Sequence, residues 1–351
     1  MNSQNADNDH LLHHRIPVPI REIIQPLSAT PAHARRITTR TQHACCSLTL
    51  QPRHHARLTS SPIDMAGIGN RHLESYRRTQ LLQLFTLAVT KVVTQQYLSK
   101  AFAHPSGAIY FFNFCIKFGE SITLAEAHTL RFIAEHTSIP VPKVHHAFTH
   151  RGKTYILMER IRGETMAKRW RSLSSMSKAS IFNQLKQMIE ELRSIPSKSS
   201  TVSNLQGGPI HDCRLPQTSS WGPFKSVYDF QLALRNGVTA HSLDAQTHSS
   251  PGPAAISDIQ NIIAFHDSVL RRPVLTHGDL SSFNVLLRDD KVVGIIDWET
   301  AGWLPYYWEY TMAWHANPQN LFWQKEVHKF LDPYEEELKM EKLRRTYFGE
   351  I

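Results

Sequence analysis

The sequence predicts an α+β chain, with strands concentrated before residue 160 and helices dominating after it. Three observations lead there. First, Ala108 to Phe118, Val141 to His145 and Thr154 to Met158 are short runs rich in β-branched and aromatic residues. Second, Ser175 to Arg193, Ile256 to Leu270 and Leu321 to the C-terminus carry apolar residues at helical spacing. Third, Val285 to Leu287 and Val292 to Ile296 are two apolar strands separated by Arg288-Asp289-Asp290-Lys291, which holds turn-favouring residues. Two strands so joined form an antiparallel hairpin.

The hairpin is where the chemistry gathers. Asn284 enters it and Asp297 leaves it. Paired strands lie about 4.8 Å apart, so these two side chains can share one small ligand. Asp279 stands one short loop upstream and can face the same point. A carboxamide and carboxylates suit a hard cation such as Mg²⁺, which takes oxygen ligands and is held by one or two carboxylates plus substrate phosphates. His277, Asp279 and Asn284 satisfy H-x-D-x-x-x-x-N, with Asp297 one hairpin later. That is the division of labour of kinase phosphoryl transfer: Asp279 as base, Asn284 and Asp297 as metal ligands. His277 braces the loop.

At these residues a family resemblance emerges. His277-Gly-Asp-Leu-Ser-Ser-Phe-Asn284 and Ile295-Ile-Asp-Trp-Glu-Thr-Ala-Gly302 resemble the aminoglycoside phosphotransferase family and its choline-kinase-like relatives. Trp303-Leu-Pro-Tyr-Tyr-Trp-Glu-Tyr310 and Trp221-Gly-Pro-Phe-Lys-Ser-Val-Tyr-Asp-Phe230 look like the large fungal branch. The resemblance runs from about Tyr110 to the C-terminus. It implies a bilobal protein-kinase-like fold, with a small antiparallel-sheet N-lobe over residues 65–160 and a larger, mainly helical C-lobe over 161–351. It also implies ATP and Mg²⁺ as cofactors and a hydroxylated small molecule as acceptor. A cytoplasmic monomer or weak dimer is expected. The motifs specify the reaction type and leave the acceptor open.

The remaining elements follow in order. Residues 1–64 are rich in His, Arg, Ser, Thr, Gln and Pro without sustained periodicity. Such a segment buries too little apolar surface to offset its ordering entropy, so a disordered basic tail is expected. Leu81 to Val93 reads as a helix packing on the small lobe. Lys117 closes the Ala108–Phe118 stretch; in the kinase plan it meets the α- and β-phosphates and a helix glutamate. Leu124 to Glu135 reads as a helix with Ala127, Leu130 and Ile133 on one face, and Glu126 leans toward that face. Two readings of Glu126 are open. It pairs with Lys117, or it closes a capping box with Thr123.

Val141–His145 and Thr154–Met158 flank a turn at Arg151-Gly152. The segment after Met158, from Glu159 through Ile161 to Gly163, is where a bilobal kinase crosses between lobes and its backbone reads adenine. Ser194 to Pro223, rich in Ser, Gly and Pro, reads as largely irregular. The aromatics Trp303, Tyr306, Tyr307, Trp308 and Tyr310 read as core, and Asp332-Pro333 as the start of the last helix.

Two departures stand out. No G-x-G-x-x-G precedes Lys117, and Gly107 is the only glycine near the expected phosphate loop. Gly278 stands where protein kinases have arginine, and no A-P-E follows Asp297. Both features of the second kind favour a small-molecule acceptor over a protein.

The 351-residue chain has a formal net charge of +9. No zinc-finger spacing or aromatic-basic signature accompanies that charge, so nucleic acid is not expected as a partner. The 4 cysteines match no disulfide framework or metal spacing, and no apolar run approaches the ~18 residues of a membrane span. A kinase-like protein without turnover, serving binding or regulation, is the alternative function.

Overall fold

The computed structural model describes residues 65–94, 108–212, 214–215, 220–245, 252–269, 271–316 and 321–349. The tail 1–64 and Gly107 lie outside them.

The first layer is a four-stranded antiparallel sheet in the order β1-β2-β4-β3. Its strands are β1 (Ile109–Phe111), β2 (Phe114–Gly119), β3 (Val144–His150) and β4 (Lys153–Glu159). The stretch read as one strand ending at Lys117 is therefore a hairpin. Phe112 turns it at φ 52 and Asn113 follows. Lys117 lies within β2, opposite Ile156 of β4. The strand expected over Val141–His145 lies later, at Val144–His150, because it runs into the turn at Arg151-Gly152. Both turn residues have positive φ, 50 and 76, as a two-residue hairpin with the right-handed strand twist requires.

Side chains alternate across the sheet. Helix α1 (Met65–Val93) covers one face, placing Leu82, Phe85, Val89 and Val93 on Ile109, Ile116 and Leu157. Helix α2 (Leu124–His136) joins the core of the other face, with Ala127, Leu130 and Ile133 in one cluster with Cys115, Ile156 and Met158. Lys117 is two residues from Cys115 and so shares the α2 face. That parity is why the lysine meets a helix glutamate.

The chain leaves β4 at Glu159 and adds the short β5 (Glu164–Thr165) to the hairpin of β9 (Val285–Arg288) and β10 (Lys291–Ile295), in the order β10-β9-β5. The crossing segment is thereby fastened to the hairpin that carries Asn284 and Asp297 at its open end. Contact there is close: a Cβ on Gly294 would lie 2.7 Å from Ile161 Cδ1. Residues after β5 are mostly helical: α3 (Met166–Arg169), α4 (Ser175–Ser194), α5 (Val227–Leu234), α6 (Ala240–Ala245), α7 (Pro253–Ser268), α8 (Trp308–His315), α9 (Leu321–Glu326) and α10 (Glu335–Phe348). The last helix begins at Glu335, two residues beyond Pro333. Helix α7 starts at Pro253, a residue preorganised for the first helical turn.

The 194–223 segment is largely irregular, with one small pair, β6 (Ile210–His211) and β7 (Ser220–Trp221). It is anchored by Ser203, whose backbone bridges Trp303 in β11 (Gly302–Leu304). Strand β11 pairs with β8 (Val274–Thr276), which feeds the loop 277–284. Tyr307, Trp308 and Tyr310 are buried, in agreement with their reading as core.

Candidate functional site

A cavity of about 990 Å³ opens between the four-stranded sheet and the β9–β10 hairpin. Ala108, Leu130, Met158, Ile161, Leu286 and Ile296 supply apolar walls, and Lys117, Glu126, Asp279, Asn284 and Asp297 converge on it. A largely apolar cleft with a few convergent polar groups is the usual form of a small-molecule site.

The loop 277–284 is held by its own backbone and by buried side chains. His277 Nδ1 lies 3.1 Å from the backbone N–H of Asp279, which donates to it, and Nε2 lies 3.0 Å from the Ile296 carbonyl. These two contacts fix the tautomer with the proton on Nε2. Burial pushes the imidazole pKa down to about 4, so His277 is neutral and ties the loop to the Ile296 carbonyl. Glu309 of α8 accepts the backbone N–H of His277 at 2.6 Å and that of Gly278 at 3.1 Å. Its motif was noted in the sequence, but nothing local revealed that its carboxylate would be buried beneath the loop.

Gly278 has φ +82, and a Cβ there would meet the Thr300 carbonyl at 2.8 Å. This turn aims Asp279 into the cleft. Asn284 donates Nδ2 to the Asp279 carbonyl at 2.8 Å and to its Oδ2 at 2.9 Å. The amide nitrogen is thus engaged, leaving the carboxamide oxygen as the group of Asn284 suited to a cation. Burial is the largest influence on Asp279. Asp297 and Asp212 add to it, and Arg214 and Asn284 oppose it; the carboxyl is pushed up to about 7.

On the sheet side, Lys117 Nζ contacts both oxygens of Glu126, at 2.9 and 3.0 Å, and Asp297 Oδ1 at 2.5 Å. Glu299 lies 3.5 Å away. Burial pulls the ammonium downward, but these three carboxylates outweigh it and hold its pKa above the ordinary lysine value. Thr123 makes no side-chain cap bond, so the geometry favours the ion pair over the capping box. Glu126, Asp297 and Glu299 bring carboxylate oxygens within 4.8 Å of one another. An all-oxygen set with excess negative charge fits a hard divalent cation. Glu299 was missed as a candidate, although its position two residues after Asp297 puts it at the same hairpin end.

Met158, Glu159 and Ile161 all line the cleft. The backbone N–H groups of Glu159 and Arg160 are already donated to the carbonyls of Lys143 and Asn113, at 2.9 and 2.8 Å. Ile161 is the next residue along the crossing.

Sequence reasoning also missed Arg214 and Asp212, on the irregular segment before β7. Arg214 Nη1 reaches Asp279 Oδ1 at 3.0 Å. The only sequence signal is an acid and a base two residues apart in a stretch with no other charge pattern.

The chain matches the phosphotransferase enzyme family profile (APH) over residues 121–345, well over half its length, and belongs to that family. Several solved structures are similar in shape. One is a thermostable mutant of aminoglycoside phosphotransferase APH(4)-Ia, in a ternary complex with AMP-PNP and hygromycin B. It is 16% identical with a TM-score of 0.47, covering 72% of this chain and 88% of that one. Another is aminoglycoside phosphotransferase APH(3'')-Id from Streptomyces rimosus with ADP and streptomycin, at 12% identity, TM-score 0.44, and 70% and 91% coverage. A third is macrolide 2'-phosphotransferase MphH from Brachybacterium faecium, at 15% identity, TM-score 0.40, and 69% and 76% coverage. No helix among the described residues is long and apolar enough to cross a membrane.

Proposed function

We propose that this chain is an ATP- and Mg²⁺-dependent phosphotransferase that moves the γ-phosphoryl group of ATP onto a hydroxyl of a small molecule. The observation that carries the reading is the convergence of Lys117, Asp279, Asn284 and Asp297 on one cleft. Asp279 accepts the proton of the acceptor hydroxyl as its oxygen bonds to phosphorus and the bond to the ADP oxygen breaks. A carboxyl held near 7 suits a base at neutral pH. Lys117, oriented by Glu126, holds the α- and β-phosphates. Asp297 and the Asn284 carboxamide oxygen would hold Mg²⁺, with Glu299 beside them. When bound, that ion offsets charge on the phosphoryl oxygens, where most of the catalysis of this transfer lies. Met158 and Ile161 flank the base, and the Ile161 N–H and Glu159 carbonyl are the backbone groups we assign to the adenine edge.

The folding unit in this reading is 65–351, and deleting residues 1–64 leaves nucleotide binding intact. The acceptor is a small hydroxylated molecule, as in the complexes with hygromycin B and streptomycin. The aromatic segments around Trp221 and Trp303 support the fungal branch. The cytoplasm, which supplies ATP and Mg²⁺, is the compartment we assign, with the protein a monomer or weak dimer.

Calorimetric titration with a non-hydrolysable ATP analogue, with and without Mg²⁺, tests the site. A screen of ATP consumption over hydroxylated metabolites, antibiotics and amino alcohols then finds the acceptor. Metal-dependent nucleotide binding is expected; no binding at any Mg²⁺ concentration would sink the reading.

A further inference from the structure

The geometry points to Arg214 as the positioning residue of the transfer base, oriented for that task by the buried carboxylate of Asp212. The inference rests on the phosphotransferase reading and adds a third part, outside both sequence motifs, to the apparatus around Asp279.

Arg214 is held as a fork. Its Nε donates to Asp212 Oδ1 and its Nη2 to Asp212 Oδ2, each at 2.8 Å, and its backbone N–H donates to Oδ1 at 2.9 Å. Asp212 is 3% exposed, so the guanidinium has a fixed, charge-assisted mount. From that mount Nη1 reaches Asp279 Oδ1 at 3.0 Å and Nη2 reaches the Gly278 carbonyl at 2.6 Å.

The consequences are geometric. Asn284 holds one oxygen of the Asp279 carboxylate and Arg214 the other, so the plane of the base is set from both ends. The peptide groups of Gly278 are set in the same way. Its N–H is donated to Glu309 and its carbonyl accepts from Arg214, on either side of the φ +82 turn that aims the base. Asp279 lines the cleft and Arg214 does not, so the arginine acts through the base. Its segment is fastened to the strand pair that feeds the loop by Ser203 on Trp303, and is closed on itself by Val202 on Phe224.

Lysine cannot span three acceptors with one planar fork, which makes Arg214→Lys the informative change. A double variant, Asp212→Asn with Arg214→Gln, removes the clamp without leaving the buried Asp212 carboxylate unpaired, and Asn284 still holds Asp279. In the full chain, three quantities are measured for each: affinity for a non-hydrolysable ATP analogue with Mg²⁺, the kcat and KM of ATP turnover with water or an identified acceptor, and amide hydrogen exchange over 277–284. Analogue affinity and KM for ATP stay within about twofold of wild type, while kcat falls about 10²-fold, the scale of a small misplacement of a reacting group. Exchange over the loop rises in both variants.

An unchanged kcat in a folded variant overturns the proposal. So does a kcat that falls together with analogue affinity, which marks a general structural role. A wild-type chain without nucleotide binding or turnover would instead overturn the phosphotransferase reading, and is seen before any variant is made. In that case unchanged loop exchange in Arg214→Lys overturns the clamp by itself.

Discussion

Two charged clusters flank the open end of one hairpin, and they are built in opposite ways. The Lys117 cluster sets one cation among Glu126, Asp297 and Glu299. It rests on a strand, a helix and a hairpin, and it sets three carboxylates against one ammonium. The Arg214 cluster sets one cation between Asp212 and Asp279. It rests on an irregular segment, and its guanidinium is engaged with protein acceptors. In the proposed reaction the first would exchange partners as nucleotide and metal bind, and the second would keep one carboxylate still. The proposal thus gives Asp279 and Asp297, two acidic residues at one cleft edge, different work because their cationic neighbours differ.

The largest expected effect separates those roles. Asp279→Asn should lower turnover by about 10²–10⁴-fold, the usual worth of a positioned base, with Mg²⁺-nucleotide affinity close to wild type. Next in size is Asp297→Asn. It loses a charge-assisted contact of about 1.5–3 kcal/mol, so calorimetry should find Mg²⁺-nucleotide affinity reduced roughly 10- to 100-fold, with partial recovery in excess Mg²⁺. Equal losses of metal-nucleotide binding in both variants would erase the distinction between the clusters.

Glu126→Gln is a smaller perturbation of the first cluster. It keeps the side-chain shape and one acceptor for Lys117, so nucleotide affinity should fall only about two- to tenfold, on the scale of a single net hydrogen bond. Thermal melting should show the variant folded.

pH sharpens the contrast on the other side. The Asp279 carboxyl is held at about 7 in the folded chain, against about 3.9 for a free aspartate. The base works ionised, so kcat/KM should rise with pH to a plateau above about 7. Stability runs the other way. A raised carboxyl pKa favours folding below the unfolded value, and that contribution is lost as pH rises through the folded one. Asp279→Asn should therefore melt higher than wild type at pH 8, with the gap closing toward pH 4. A gap that stays constant across that range would show that burial of the charge is not its source.

The smallest effect is at Thr123. Because it makes no side-chain cap bond, Thr123→Ala should change stability by no more than about 0.5 kcal/mol, the ordinary range of surface changes. A loss nearer 1 kcal/mol in chemical denaturation would restore the capping-box reading.

What was legible in the sequence divides along the same line. The hairpin of β9 and β10 could be read because its strands, its turn and its polar ends lie within a few residues of each other. Glu126 could be read because helix periodicity gives it a face, and Lys117 because it closes a strand-forming stretch at the place the kinase plan gives a lysine. The turn at Phe112 could not, since an aromatic residue is a poor signal for positive φ; only Asn113 marked it. Arg214 was invisible because its partners are 64 and 65 residues away and its own segment has no periodicity to give it a direction. Glu309 had the same difficulty, being a carboxylate on a helix whose only clue was the aromatic run around it.

Gly278 carries a consequence for how such a protein can be governed. The position that in protein kinases couples the catalytic loop to a phosphorylated segment is closed here by shape: positive φ and the Thr300 carbonyl leave no space for a side chain. Arginine cannot be installed there without rebuilding the turn that aims the base. The turn that presents Asp279 is therefore set by the backbone itself, and no side chain at position 278 is available to tie it to another segment.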